Sequence, residues 1–173
     1  YDYIISTRID DDDALTTGSF SAIMNTARTL VDKGFVPSAI IIRHGLRFAP
    51  LENRGVWHDH DSHSTGASVL IPVGSKTNIY SFNHTKIPSY FKDKGWNVCY
   101  IEKDQAAWLY TVHKYSDTDY ESKVNKIKNH KDAVVPNQED LQKFSVNEEA
   151  LKEWIELERS VKPLVGGKMT DFI

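Results

Sequence analysis

The chain opens on a short apolar block, residues 3–9, where β-branched and aromatic side chains are concentrated, the pattern of a buried strand. Four consecutive aspartates, Asp10 to Asp13, end it. The apolar period then becomes helical. Phe20, Ile23, Met24, Ala27, Leu30 and Val31 fall on one face of a helix expected over residues 17–33. Thr16 or Thr17 suits its start and Gly34 its C-terminal end. Residues 38–43 form a second strand pattern. A polar stretch rich in His, Asp, Asn and Gly follows over residues 44–66, long enough to be read as a functional loop. Residues 67–73 and 78–82 read as short strands around a Gly-Ser turn, 88–94 as a short helix, and 96–101 and 107–113 as further strands. From about residue 117 the chain is highly charged. Its one clear element is a helix over residues 146–160, with Ser145 and Glu148 at capping-box spacing. That helix has a partly apolar face of Leu151, Trp154, Ile155 and Glu158, suited to packing on the body or on a partner.

Composition narrows the function classes. The 173 residues fit one domain large enough for a sizeable core. With 21 basic and 24 acidic residues the net charge is -3, and no basic stripe offers phosphate neutralisation, so nucleic acid is not expected as a partner. A lone cysteine, Cys99, excludes an intrachain disulfide framework and suits a reducing compartment. No apolar run has the length of a membrane span and no signal peptide opens the chain, so a soluble, cytoplasmic protein is expected. The first residues read as a strand already under way, which fits either a trimmed tag or a piece of a longer protein.

The acidic run is the main candidate for chemistry. It follows a strand and precedes a helix, where α/β sheets place their ligand sites. The two-residue strand period would put Asp10 and Asp12 on one face. Hard cations, Mn²⁺ or Mg²⁺, take such oxygen ligands and complete their shells with phosphates and water. The bland alternative is a solvated loop before a helix.

The stretch Tyr3-Ile4-Ile5-Ser6-Thr7-Arg8-Ile9-Asp10-Asp11-Asp12-Asp13-Ala14-Leu15 resembles the Thr-Arg-Leu-Asp-x-Asp-Asp-Ala-Leu motif of a rhamnosyltransferase family within the glycosyltransferases of GT-A type. Ala107-Trp108-Leu109-Tyr110-Thr111-Val112-His113 is similar to that family's later Trp-Leu-x-x-x-His segment. Together they span residues 3–115. The resemblance implies a GT-A-like, Rossmann-like mixed sheet flanked by helices, without the N-terminal nucleotide-binding units. Residues 116–173 would then be a charged extension. It also implies a nucleotide-diphosphate sugar as donor, a saccharide or other hydroxyl as acceptor, and a divalent cation. Carried over, Asp10 lies near the donor ribose and the metal, Asp12 binds the metal, and His113 completes its shell. Asp13 supports that shell or caps the following helix. The second acid, where the family often has Asn, faces away.

An inverting transfer of this kind needs a base for the acceptor hydroxyl. The stretch Trp57-His58-Asp59-His60-Asp61-Ser62-His63 offers Asp59 or Asp61. Its histidines give a rival reading, Zn²⁺ held by His58 with His60 or His63, and a plain polar loop is a third. Arg8 and Arg43 suit either phosphate contacts or structural ion pairs. Trp57 and Trp108 suit either sugar stacking or the core. Two other function classes stay open: a non-catalytic or partial carbohydrate- or metal-binding module, and a metal-dependent hydrolase. Exposed sheet edges would favour a homo-oligomer.

Overall fold

A computed structural model describes residues 2–10, 12–59, 65–114 and 119–160. It is an α/β molecule built on two four-stranded mixed sheets. The strands are β1 (Tyr3–Thr7), β2 (Asp13–Leu15), β3 (Ser38–Ile42), β4 (His44–Ala49), β5 (Arg54–Asp59), β6 (Ser68–Pro72), β7 (Asn97–Ile101) and β8 (Trp108–Thr111). The helices are α1 (Ser19–Asp32), α2 (Ile87–Asp93), α3 (Tyr120–Lys128), α4 (Gln138–Gln142) and α5 (Glu148–Ser160). The first sheet runs β1-β6-β3-β7 and the second β2-β8-β4-β5.

In the first sheet β6 lies antiparallel to both β1 and β3, and β3 is parallel to β7. β1, β3 and β7 therefore point the same way. Each continues from its C-terminal end into a strand of the second sheet: β1 into β2, β3 into β4 across Arg43 alone, and β7 into β8. The seam between the sheets is thus lined by three parallel strand ends, where an open α/β sheet leaves its ligand crevice.

The Ser-Ala-Ile-Ile-Ile run of β3 is wholly buried because both faces are covered. Ile40 and Ile42 meet Ile23, Ala27 and Leu30 of α1, with Leu70, Ile101 and Trp108. Ala39 and Ile41 meet Ile79, Ile87 and Phe91 on the other side. Each buried isoleucine contributes about 1.5–3 kcal/mol of transfer free energy.

Several expectations change at this level. β1 is an edge strand rather than a buried one, since it pairs only with β6 among the described residues and leaves Tyr3 and Ile4 exposed. On α1, Phe20 and Met24 face outward while Ile23, Ala27 and Leu30 carry the contact. Its N-cap is Gly18, because the Thr16 hydroxyl is used elsewhere: it accepts from the Ala107 N–H at 3.1 Å and meets the Ser19 hydroxyl at 2.8 Å. At the other end Gly34 takes φ +70°, as a helix stop requires.

Most of the polar stretch 44–66 is a β-hairpin. β4 and β5 pair from His44↔Asp59 to Ala49↔Arg54 around a turn that places Asn53 at φ 47°. Gly45 hid that strand in the sequence, yet its missing side chain is required. A Cβ there would stand 1.9 Å from Trp108 Cδ2. Residues 79–81 form a 3₁₀ turn capped by Asn78 instead of a strand. Among the described residues the charged tail holds three helices, not one. Asn147, rather than Ser145, caps α5, accepting from the Ala150 N–H at 2.6 Å, and Ser145 is left at φ 60°. As expected, α5 packs on the body, around its wholly buried Glu158.

Candidate functional site

Beyond β1 the chain turns at once. The Asp13 N–H donates to the Asp10 carbonyl at 3.2 Å, so Asp10 and Asp12 sit in a turn and strand alternation does not orient them. Asp10 folds back on Arg8, whose Nε and guanidinium N–H reach the two carboxylate oxygens at 3.1 and 3.3 Å. The Arg8 guanidinium also lies 5.3 Å from the centroid of the Tyr80 ring. A fork of this kind fixes both side chains at the C-terminal end of β1.

Asp12 points the other way. Pairing of β2 with β8, with Asp13 opposite Tyr110, brings Asp12 level with the end of β8. The Thr111 hydroxyl donates to the Asp12 carbonyl. The Asp12 carboxylate meets His113 Nε2 at 2.9 Å, across 101 residues of sequence. The two residues nominated at opposite ends of the resemblance are therefore in contact.

Asp13 is the most perturbed acid of the run. One carboxylate oxygen accepts from the Thr65 hydroxyl, and the other is buried with no hydrogen-bond partner of good geometry among the described residues. Burial pushes its pKa up to about 7, the hydrogen bond from Thr65 opposes this, and the charges of Asp12 and Asp10 add to the rise. Among the described residues it caps no helix: the N-cap of α1 is Gly18, with no side-chain cap.

His113 is held from outside by α5. Trp154 meets the imidazole edge-to-face at 5.9 Å between centroids. The next residue, Lys114, donates its backbone N–H to Glu158 Oε1 at 2.7 Å, and its ammonium reaches the Glu158 carbonyl at 3.4 Å. Tyr120 lies near this group and stays a phenol, its pKa raised to about 12 by burial and then by the charges of Glu158 and Glu52.

Among the described residues no three His, Cys, Asp or Glu side chains converge as a full protein cage would need. Asp12 and His113 nevertheless present one oxygen and one nitrogen 2.9 Å apart. Adjacent ligands of an octahedral ion with bonds near 2.1 Å stand about 3 Å apart. That spacing is also the length of the hydrogen bond the two side chains share, so an ion held by both would replace the proton between them and leave its other positions for phosphate and water.

The other nominated residues lie elsewhere. Asp59 is on the hairpin opposite His44, with its carboxylate 2.9 Å from His44 Nδ1. Gly45 pairs with Trp108, so this corner is four rows along the strands from Asp12, about 13 Å, with His44 two strands across and Asp59 three. His58 meets the His130 ring at 5.8 Å. His60, Asp61 and His63 lie outside the described residues. Trp57 stacks face to face on His44 at 4.8 Å, and Trp108 is a core residue beneath Gly45. Arg43 lies over Tyr100 at 5.3 Å. A cleft of about 740 Å³ opens beside the His44–Trp57 stack, bounded by Thr16, Lys103, Asp104 and Asp140.

Sequence reasoning missed Thr65, Thr111, Trp154 and Glu158. A glutamate on the apolar face of the 146–160 helix was the one available signal for the last two.

No curated protein and no solved structure matches this chain. A family model described as "Putative rhamnosyl transferase" matches residues 1–125, a span that contains Arg8, the whole acidic run, the hairpin and His113. The chain belongs to that glycosyltransferase family.

Proposed function

We propose that this chain transfers a sugar from a nucleoside-diphosphate donor to an acceptor hydroxyl, in a GT-A-type arrangement assisted by Mn²⁺ or Mg²⁺. The observation that carries the reading is the 2.9 Å meeting of Asp12 and His113 within the family-matched span. These two side chains would hold the cation. When bound, it would neutralise the charge developing on the leaving diphosphate. Arg8 and Asp10 bind the donor from the neighbouring strand end. Their mutual fork holds both side chains at that strand end, where they would face the donor. Asp13, protonated below about pH 7, lowers the negative charge behind Asp12 and keeps the run from repelling itself. The acceptor proton goes to the 58–63 stretch. Asp59 is engaged with His44, so Asp61 is the first carboxylate to test as the base. We further infer a single domain in which residues 1–115 bear the site and 116–173 form a charged extension.

A partial, non-catalytic module is the second reading, favoured by the count of two protein donors among the described residues. One titration separates the two. Mn²⁺ is added to the wild type and to Asp12→Ala, with and without a panel of nucleoside diphosphates, while thermal stability is followed. At a hundred times its dissociation constant a ligand adds about 2.7 kcal/mol. Stabilisation by Mn²⁺ that deepens with one nucleotide and is lost in Asp12→Ala is the transferase result. Stabilisation by Mn²⁺ alone is the module result. Absence of any Mn²⁺ response in the wild type removes both.

A further inference from the structure

The C-terminal helix lies beyond the 125 residues that the family model covers, yet it makes the contacts that locate His113. Lys114 immediately follows that histidine, so the position of its peptide N–H sets the backbone from which the imidazole projects. Glu158 is wholly buried, and one of its oxygens is committed to that N–H at 2.7 Å. Its other oxygen is buried without a hydrogen-bond partner among the described residues. A charged side chain carried into the interior with one oxygen unmatched is expensive, and a methionine or leucine there would fill the space more cheaply. Trp154, one turn earlier on α5, lies against the ring of His113. The helix thus grips the histidine at two points, one on its backbone and one on its ring.

We propose that α5 is a strap that presets His113 against Asp12, with Glu158 and Trp154 as its positioning residues. This rests on the reading of Asp12 and His113 as a cation site. Outer groups that hold a metal-bound histidine typically account for 10–100-fold in metal affinity. Glu158 acts through Lys114 and touches neither cation nor substrate.

The test measures Mn²⁺ affinity alone, together with the imidazole signals of His113 by NMR in the metal-free protein, assigned by their loss in His113→Asn. Glu158→Ala should weaken Mn²⁺ binding about 10–100-fold and shift or broaden the His113 signals. Glu158→Gln keeps an oxygen acceptor and should stay within about threefold of the wild type, as should Lys114→Ala, which retains the peptide N–H. If Glu158→Ala does not fold, Trp154→Phe serves in its place and should still disturb the His113 signals. Wild-type Mn²⁺ affinity and unchanged His113 signals in a folded Glu158→Ala or Trp154→Phe protein would overturn the strap. If the wild type binds no Mn²⁺, the cation reading fails on its own. The NMR comparison then still decides whether α5 fixes His113.

Discussion

Two histidine–aspartate pairs occupy opposite corners of the second sheet, each with its closest atoms 2.9 Å apart: Asp12 with His113, and Asp59 with His44. Their chemistry is the same and their construction is not. His44 and Asp59 are direct cross-strand neighbours in one hairpin, 15 residues apart, and Trp57 stacks on His44 from the same hairpin. Hairpin register alone produces this pair, and the Asp59 side chain is 62% exposed. Asp12 and His113 come from distant segments, with side chains 32% and 12% exposed. Thr111 holds the aspartate backbone, α5 holds the histidine, and a half-buried second acid stands next to Asp12. An exposed ion pair is worth little, whereas a pair assembled from several elements is held by all of them. A histidine–aspartate distance therefore does not identify a site; the structure that maintains the distance does.

The largest expected effect breaks both corners at once. Gly45 lies between them on β4, and Gly45→Ala would drive a methyl group into the ring of a Trp108 that has no room to move. Destabilisation of about 3 kcal/mol or more is expected, read as a lower midpoint in urea. A wild-type midpoint would mean that Trp108 is not seated as described.

Asp12→Ala then separates the corners. Mn²⁺ binding should fall more than about 100-fold, while Asp59→Ala should hold it within about threefold, both by titration calorimetry. Equal losses in the two variants would make the corners equivalent. Chelation of Mn²⁺ should lower the melting temperature of Asp59→Ala and leave that of Asp12→Ala unchanged.

Asp13 sharpens the contrast through pH. Its folded pKa, about 7, lies above the unfolded value of 3.8, so the folded state binds the extra proton. Stability attributable to Asp13 is therefore greatest below the unfolded value and is lost as pH rises from about 4 to about 7. In metal-free protein Asp13→Asn should flatten that decline and be the more stable form at pH 8. A variant that keeps the wild-type slope between those limits would show that another group is titrating.

The smallest effect belongs to the exposed corner. His44→Ala removes an exposed ion pair and one stacked ring, and should cost no more than about 1–2 kcal/mol. A loss as large as that of Gly45→Ala would put this hairpin pair on the footing of the other corner.

The sequence was most legible where neighbouring residues alone decide structure. β3 and β7 stand where the apolar runs predicted, and α1 and α2 where the helical patterns did. The motif residues around Asp12 and His113 also pointed to the family before any coordinates. Legibility failed where a contact partner decides. β4 looked polar because Gly45 has no apolar side chain, and only Trp108 reveals that glycine as a packing residue. Residues 79–81 alternate like a strand, but Asn78 caps them into a turn, and the Ile79 N–H donates to the Ser6 hydroxyl at 3.2 Å. In the tail, α3 buries only Val124 and Ile127, and α4 only Leu141. Most of their charged residues face outward, Lys123 excepted, which reaches Tyr110, so the helical pattern was too thin to read.

The sequence by itself determined the α/β character, the order of the main strands and helices, and the identity of the acidic motif with its distant histidine. The α/β character and element order are written in local periodicity, while the acidic run and His113 stand out through the family resemblance their neighbouring residues carry. Tertiary structure decided that Asp10 turns to Arg8 while Asp12 turns to His113, that one oxygen of half-buried Asp13 is shut away from solvent, and that Glu158 of α5 reaches the backbone beside the histidine. The reason is physical. A side chain's direction after a turn, its burial and its partner are set by which strands pair and which helix covers them, and those contacts join residues that no local pattern connects.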